Sequence, residues 1–264
     1  MDLQLKDKRA VVTGSTAGIG FAIAEALALE GAAVVVNGRT RERVVSAVNE
    51  IRRHTPHANV RGIAADLSTP AGIATLCSDT PEAEILVNNL GVFEAKSFAS
   101  ITDADWQRVW ETNVMAGVRL SRHYLPKMLA PNWGRIVFIS SESAVNIPVE
   151  MIHYGVTKTA QVSLARGLAE TTTGTGVTVN SILAGPTRSE GVERFVQGLA
   201  KSEGVDEATI EREFFSKMRP SSLLKRFASP REVANLVAYV CSPLSSATNG
   251  AALRADGGVL RSIL

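Results

Sequence analysis

The stretch HYGVTK places Tyr154 and Lys158 four residues apart. On a helix that spacing puts both on one face, one turn from each other. A phenol beside a fixed ammonium has its phenolate stabilised, so its pKa falls from about 10 toward working pH, as a general acid or base requires. A tyrosine and a lysine at this spacing serve an amphipathic surface equally well, so the pair alone does not decide. Two polar residues upstream could complete a site. Ser141 follows the run RIVFIS, and Asn113 lies in a long helical segment before it.

A second candidate is a phosphate-binding turn. After the first hydrophobic run comes TGSTAGIG, with Gly14, Gly18 and Gly20. Glycines let the chain turn tightly and approach a ligand, and the helix that follows offers free amides and a positive dipole end to a pyrophosphate. The spacing Gly-x-x-x-Gly-x-Gly differs from the Gly-x-Gly-x-x-Gly dinucleotide fingerprint, and three glycines can also serve packing. The third candidate is VVVNGRT, residues 34–40. Its valines suit a strand buried on both faces, whereas the amide, glycine and guanidinium that end it do not.

The elements that must position these groups alternate along the chain. Strands are expected at 10–13, 33–37, 60–65, 85–88, 135–140, 177–183 and near 252, with helices at 19–30, 41–53, 71–78, 103–129, 153–172 and 230–241. Such alternation indicates βαβ units and a parallel sheet covered on both faces. With no linker, repeat or low-complexity tract, the 264 residues read as one domain. Residues 187–226 are helical, charged and too long for a simple crossover, which marks either a lid or a solvated surface excursion. The net charge of +2, without a basic stripe, argues against nucleic acid. The start MDLQLKDKR, with acids and no apolar core, is not expected to act as a signal peptide, and the most hydrophobic stretch, 21–36, is broken by Glu25 and Glu30 and too short for a bilayer. Cys77 and Cys241 share no metal or redox spacing, so a reducing cytoplasm is expected.

Asn113, Ser141, Tyr154 and Lys158 stand in the order and spacing of the catalytic tetrad of the short-chain dehydrogenase/reductase family, single-domain type, which the chain resembles over nearly its whole length. TGSTAGIG resembles that family's Thr-Gly-x-x-x-Gly-x-Gly turn, Asp66 in ADLS its adenine-side acid, NNLG (88–91) its Asn-Asn-Ala-Gly, AGPTRS its Pro-Gly segment and ADGG (255–258) its C-terminal Asp-Gly-Gly. The resemblance implies a Rossmann-like, doubly wound, parallel seven-stranded sheet. It implies a hydride moving between nicotinamide C4 and a carbonyl or alcohol carbon. Tyr154 would donate the proton during reduction, and Ser141 would hydrogen-bond the carbonyl oxygen as charge develops. Lys158 would hold the nicotinamide ribose and depress the Tyr154 pKa, and Asn113 would anchor a water connecting Lys158 to solvent.

The same resemblance assigns a cofactor surface. It comprises Gly14, Ser15, Thr16, Gly18, Ile19 and Gly20 at the phosphates, Asn37, Gly38, Arg39 and Thr40 at the adenosine ribose, and Asp66, Leu67 and Asn88 at the adenosine. Tyr154, Lys158, Gly185, Thr187 and Ser189 would stand at the nicotinamide end, and Gly91 would hold its loop and contact the cofactor. An acid at the end of the second strand would accept from both ribose hydroxyls and repel a 2′-phosphate. Gly38 takes that acid's place and Arg39 follows, offering the planar charged donors a phosphate prefers, so NADP(H) is expected over NAD(H). The bland alternative makes Arg39 a solvated residue opening the next helix.

The chain departs from the family at Leu90, for the motif's alanine, at Ala184, for a proline, and in a short third crossover helix. Ser140 and Ser143 are expected as backbone supports, Ser189 as an equal choice between cofactor contact and structural role, and His153 at the surface or in a subunit contact. His54, His57 and His123 are expected to be solvated, and no metal site is expected. The resemblance implies a small carbonyl or alcohol substrate, in a pocket shaped by loop 142–152 and segment 187–226. There Val145, Ile147, Val149, Met151, Phe195, Phe214 and Phe215 stand beside Glu142, Glu150, Arg188 and Arg194. The apolar set suits a hydrophobic or acyl-type carbonyl, such as a 3-oxoacyl thioester, and equally suits the packing of a lid. Two other readings stay open: an alcohol or sugar dehydrogenase working oxidatively, and a non-catalytic dinucleotide sensor. By analogy with the family a homotetramer or homodimer is expected.

Overall fold

The computed structural model describes residues 1–263, apart from the side chains at 194 and 195. Seven strands, β1 (Arg9–Val12), β2 (Ala33–Gly38), β3 (Val60–Ala64), β4 (Ile85–Asn88), β5 (Gly134–Ser141), β6 (Val177–Ala184) and β7 (Ala252–Ala255), form one sheet in the order β3-β2-β1-β4-β5-β6-β7. Every pairing is parallel. The order reverses between β1 and β4, and in open α/β sheets ligands bind beyond the strand ends at such a switch point. The glycine turn leaves β1 there. This is the doubly wound, single-domain fold the sequence leads one to expect.

Successive side chains of a strand point to opposite faces. Val12, Val34 and Val36 therefore enter a layer with Ile23, Leu27, Ile51 and Val237, while Val11 and Val35 join Leu120, Tyr124 and Phe138 on the other side. Each such burial contributes about 1.5–3 kcal/mol. The first layer is covered by α1 (Gly18–Leu29), α2 (Arg41–His54) and α9 (Pro230–Cys241), the second by α3 (Pro70–Asp79), α5 (Ala116–Leu129) and α6 (Ile152–Glu170). Hydroxyls of Thr40, Thr69 and Ser229 cap α2, α3 and α9. No described helix is long and apolar enough to cross a membrane.

Two segments differ from expectation. The helix expected over 103–129 is α4 (Asp103–Trp110), a π-turn at Glu111–Met115, and then α5. π-Turns inside α-helices are frequently found at functional sites, and this one carries Asn113. Segment 187–226 holds α7 (Glu190–Glu203), α8 (Glu207–Glu213) and a second π-turn at Phe214–Met218. It has a small core of its own, Val196, Ala200, Ile210, Phe215 and Phe227. Phe214, Phe215 and Phe227 meet one another at ring separations of 5.0–5.1 Å. Packing within the segment thus accounts for Phe214 and Phe215, which is the lid-packing alternative of the two left open for them. The side chains of Arg194 and Phe195, candidates for the substrate pocket, lie outside the described residues.

Candidate active site

The glycine turn is built by close approaches that side chains would block. Gly14 and Gly18 have φ of +58° and +57°, a region L-residues other than glycine seldom adopt. A Cβ on Gly20 would lie 2.5 Å from the Gly14 carbonyl oxygen. Asn89 ties the turn to the end of β4, its Nδ2 donating to the carbonyls of Thr13 (2.9 Å) and Gly14 (3.0 Å). Unlike α2 and α3, α1 has no side-chain cap, since Ala17 stands at its N-cap position, and no acid in its first turn. The amides of Gly18, Ile19 and Gly20 and the positive dipole end are thus left for an anion.

Ser15 and Asn37 have other duties. Ser15 Oγ donates to the Val12 carbonyl (2.6 Å) and accepts from the Asn37 amide (2.9 Å). Asn37 accepts from the Gly14 amide (3.2 Å) and donates to the carbonyls of Ile63 and Ala65 (3.2 and 3.1 Å). Both are fully buried, so they hold the turn to β2 and β3 and leave no hydrogen-bonding group for a ribose. Thr40, likewise expected at the ribose, is exposed and accepts from the Arg43 amide as the cap of α2, which leaves its hydroxyl proton free to donate. Arg39 is exposed and makes no hydrogen bond or ion pair among the described residues. Thr16 packs its Cγ2 against the bare Cα of Gly38. Asp66 is exposed, with Oδ1 accepting from the amide and hydroxyl of Ser68 (3.1 and 2.7 Å), whereas the Leu67 side chain is core. Asn88 donates to Ser121 Oγ (3.4 Å), and its buried Oδ1 has no partner among the described residues.

Ser141 ends β5, and its Oγ accepts from the Ser143 amide at 3.1 Å. Ser140 Oγ donates to the Lys158 carbonyl (2.9 Å), fastening α6 to β5. From α6, Lys158 Nζ lies 5.6 Å from the Tyr154 ring centroid and donates to the Ile139 carbonyl (2.8 Å) and to Gln161 Oε1 (3.1 Å). Asn113 accepts from the Val92 amide (2.8 Å) and donates to the Val92 carbonyl and Thr157 Oγ1, both at 3.0 Å. A Cβ on exposed Gly91 would sit 3.4 Å from Lys158 Nζ and 3.6 Å from Asn113 Oδ1, so Gly91 keeps a space open at the lysine. The four residues expected to act together thus converge at one end of the sheet.

Their electrostatics correct one expectation. Burial pushes the Tyr154 phenol up to about 12, with the Ser141 hydroxyl pulling it back, Glu142 raising it and Arg219 lowering it. Burial pushes Lys158 down to about 8. The ammonium does not bring the phenol toward neutrality, because it points at the Ile139 carbonyl and Gln161 and is itself desolvated. The phenol is therefore held protonated, ready to donate.

Around this cluster, Phe93 meets Tyr154 edge-on at 6.0 Å, and the side chains of Val145, Ile147, Val149 and Leu223 are exposed. Glu142 and Arg219 form a buried ion pair at 2.8 Å, with Glu150 at 3.7 Å from Arg219. Arg188 pairs with Glu211. Glu142, Glu150 and Arg188, expected beside a substrate, are thus held in ion pairs: Arg219 fastens segment 187–226 to the turn after β5, and Arg188–Glu211 braces the segment internally. Gly185, expected at the cofactor, is required by packing, since a Cβ there would lie 2.5 Å from the Asp256 carbonyl oxygen. Thr187 donates to the Gly185 carbonyl (2.9 Å). Ser189 caps α7, and its Cβ lies 3.3 Å from where a Cβ on Gly18 would stand, at the rim of the glycine turn.

His153 is fully buried rather than at a surface. It sits edge-on to Trp106 at 6.0 Å, and burial lowers its pKa, so it stays neutral. His54 and His57 are exposed as expected. His123 bonds to the Pro81 carbonyl oxygen (3.1 Å) and Lys127 (2.9 Å). Sequence reasoning missed Gln161, Thr157, Phe93 and Arg219. Only Gln161 carried a local signal, an amide one turn beyond Lys158 where an amphipathic helix would turn an apolar residue inward.

A family model described as enoyl-(acyl carrier protein) reductase matches residues 14–260. An uncharacterized oxidoreductase of Bacillus subtilis is 48% identical over 266 residues, covering all of both chains. The 3-oxoacyl-[acyl-carrier-protein] reductase of Aquifex aeolicus is 30% identical over 98% of this chain and 100% of its own. The crystal structure of L-sorbose reductase from Gluconobacter frateurii, complexed with NADPH and L-sorbose, is 33% identical and covers both chains fully with a TM-score of 0.93. With this match of sequence, fold and residue order, the chain belongs to the short-chain dehydrogenase/reductase family of oxidoreductases.

Proposed function

We propose that this oxidoreductase reduces a small carbonyl compound to a secondary alcohol with NADPH. The observation that carries the reading is the Tyr154 phenol held protonated beside Ser141, with Lys158 bordering the space that Gly91 leaves open. The residues fit a dinucleotide phosphate: the uncapped α1, the glycine turn, exposed Arg39 and the acid-free end of β2. When bound, NADPH supplies the hydride. Tyr154 delivers the proton to the carbonyl oxygen, and Ser141 donates a hydrogen bond to that oxygen as charge develops on it. An ammonium has three donors, and two of Lys158's are spent on Ile139 and Gln161. The third is left for a nicotinamide ribose hydroxyl. Asn113 fixes the loop at Val92 and the start of α6 through Thr157.

The relatives support two carbonyl classes for the test, 3-oxoacyl thioesters and ketoses. Initial rates with both classes and with simple ketones and aldehydes, using NADPH and NADH, check the reading. Turnover is expected with NADPH, and Tyr154→Phe should lower kcat by about 100- to 10,000-fold while NADPH affinity changes little. Substantial turnover by that variant would remove Tyr154 from its role.

A further inference from the structure

Between Lys158 and Asn113, where the family resemblance places a water, the structure has a side chain. Gln161 lies one turn beyond Lys158 on α6 and is 1% exposed. Its Oε1 accepts from Lys158 Nζ at 3.1 Å, and its Nε2 donates to the Asn113 carbonyl at 2.6 Å. The amide can point only one way: an ammonium only donates and a carbonyl only accepts, so oxygen must face the lysine and nitrogen the π-turn. Both ends are used, and the bridge joins α6 to the turn that carries Asn113.

We propose that Gln161 is a positioning residue for Lys158, its amide standing in for a bridging water between the ammonium and the Asn113 carbonyl. The inference rests on the reading of Lys158 as part of the reductive site. A water at this point can turn and pass protons on. A primary amide held at both ends does neither at neutral pH, so this side of the site fixes the lysine instead of exchanging protons with it. Gln161 also keeps two of the ammonium's donors on protein acceptors and leaves the third toward the space at Gly91.

The groups facing Lys158 Nζ are few. The Ile139 carbonyl from β5, the Gly91 backbone, the Asn113 amide and Gln161 are neutral, and Tyr154 on its own helix is the titratable one. A change at Gln161 therefore reads out in the lysine. The test is a titration of the Lys158 ε-carbon by 13C NMR in lysine-labelled protein without cofactor, the signal assigned by its absence in Lys158→Arg. Gln161→Met fills the space without an acceptor and should lower the midpoint by about one pH unit, the size of one charge-assisted hydrogen bond. Gln161→Glu brings a carboxylate and should raise it by about one unit or more. Gln161→Ala opens room for water at both partners and should stay within about half a unit of the wild type.

Where turnover is measurable, the alkaline limb of kcat against pH should move in the same directions. Midpoints that coincide in all folded variants, with losses in melting temperature alone, would make Gln161 a packing residue and overturn the proposal. If Gln161→Met does not fold, the contrast between Gln161→Glu and Gln161→Ala decides. The NMR experiment needs no substrate, so an absence of turnover across the carbonyl panel would count against the proposed reaction and not against this bridge.

Discussion

The end of β2 offers the sharpest test of how sequence and packing jointly select a cofactor. Gly38→Asp would place a carboxylate where an NAD-binding strand carries one, and on sequence grounds it should switch preference to NADH. The structure forecasts otherwise. A Cβ at position 38 would fall more than an ångström inside the ~3.5 Å at which carbon atoms meet, against Thr16 Cγ2, and 3.2 Å from Val44 Cγ2. Val44 can yield by a few tenths of an ångström, but Thr16 is β-branched and stiff at χ1, and turning it would bring another of its atoms toward the same space or disturb its place in the phosphate turn. Overpacking of this kind costs about 1–3 kcal/mol, or a few degrees of melting temperature in a chain of this size. Gly38→Asp should therefore weaken NADPH and NADH together and lower stability. Adding Thr16→Ala removes the obstructing methyl, so the double variant should regain most of the stability and bind NADH better than NADPH, with a coupling of about 1–2 kcal/mol between the sites. Dissociation constants by nicotinamide fluorescence and melting by circular dichroism give both numbers. A single Gly38→Asp variant as stable as the wild type, with tightened NADH binding, would refute the argument.

Three further outcomes are expected. Arg39→Ala should raise the KM for NADPH about 10- to 100-fold, the worth of one charged hydrogen bond, and that for NADH less than about threefold; equal effects would remove Arg39 from the phosphate. Because Arg39 holds nothing else among the described residues, its loss should leave stability within about 0.5 kcal/mol. With Lys158 near 8 and Tyr154 near 12, the reductive kcat/KM should be level near pH 7. It should fall about tenfold per unit above pH 8 as the ammonium loses its proton while the phenol keeps its own, and a profile level to pH 10 would contradict this. Arg219→Met leaves Glu142 buried without its cation, which should cost about 3–5 kcal/mol in chemical denaturation, and Glu142→Gln beside it should return a large part.

The fold was legible because the central strands of this sheet are buried on both faces and so read as apolar, largely β-branched runs between helical periods. The two departures come from forces that periodicity does not record. The π-turn at Glu111–Met115 interrupts an amphipathic pattern that continues on either side of it, and the aromatic cluster of segment 187–226 forms between residues up to thirteen positions apart. Asn37 looked like a ligand because a polar group at the end of a buried strand needs a partner. The partners turned out to be the neighbouring turn and β3.

Residue order by itself determined the chemistry on offer: a tyrosine and lysine one turn apart, a serine at a strand end, a glycine turn ahead of a helix, and an arginine where an acid would stand. Those are properties of spacing and of backbone geometry, which neighbours along the chain dictate. Only the tertiary structure decided how readily they change charge. The height of the Tyr154 pKa and the aim of the Lys158 ammonium depend on how much water is excluded and on which carbonyls and amides from β5, the π-turn and α6 surround them. Desolvation and long-range hydrogen bonds are sums over groups distant in sequence, so no local pattern encodes them.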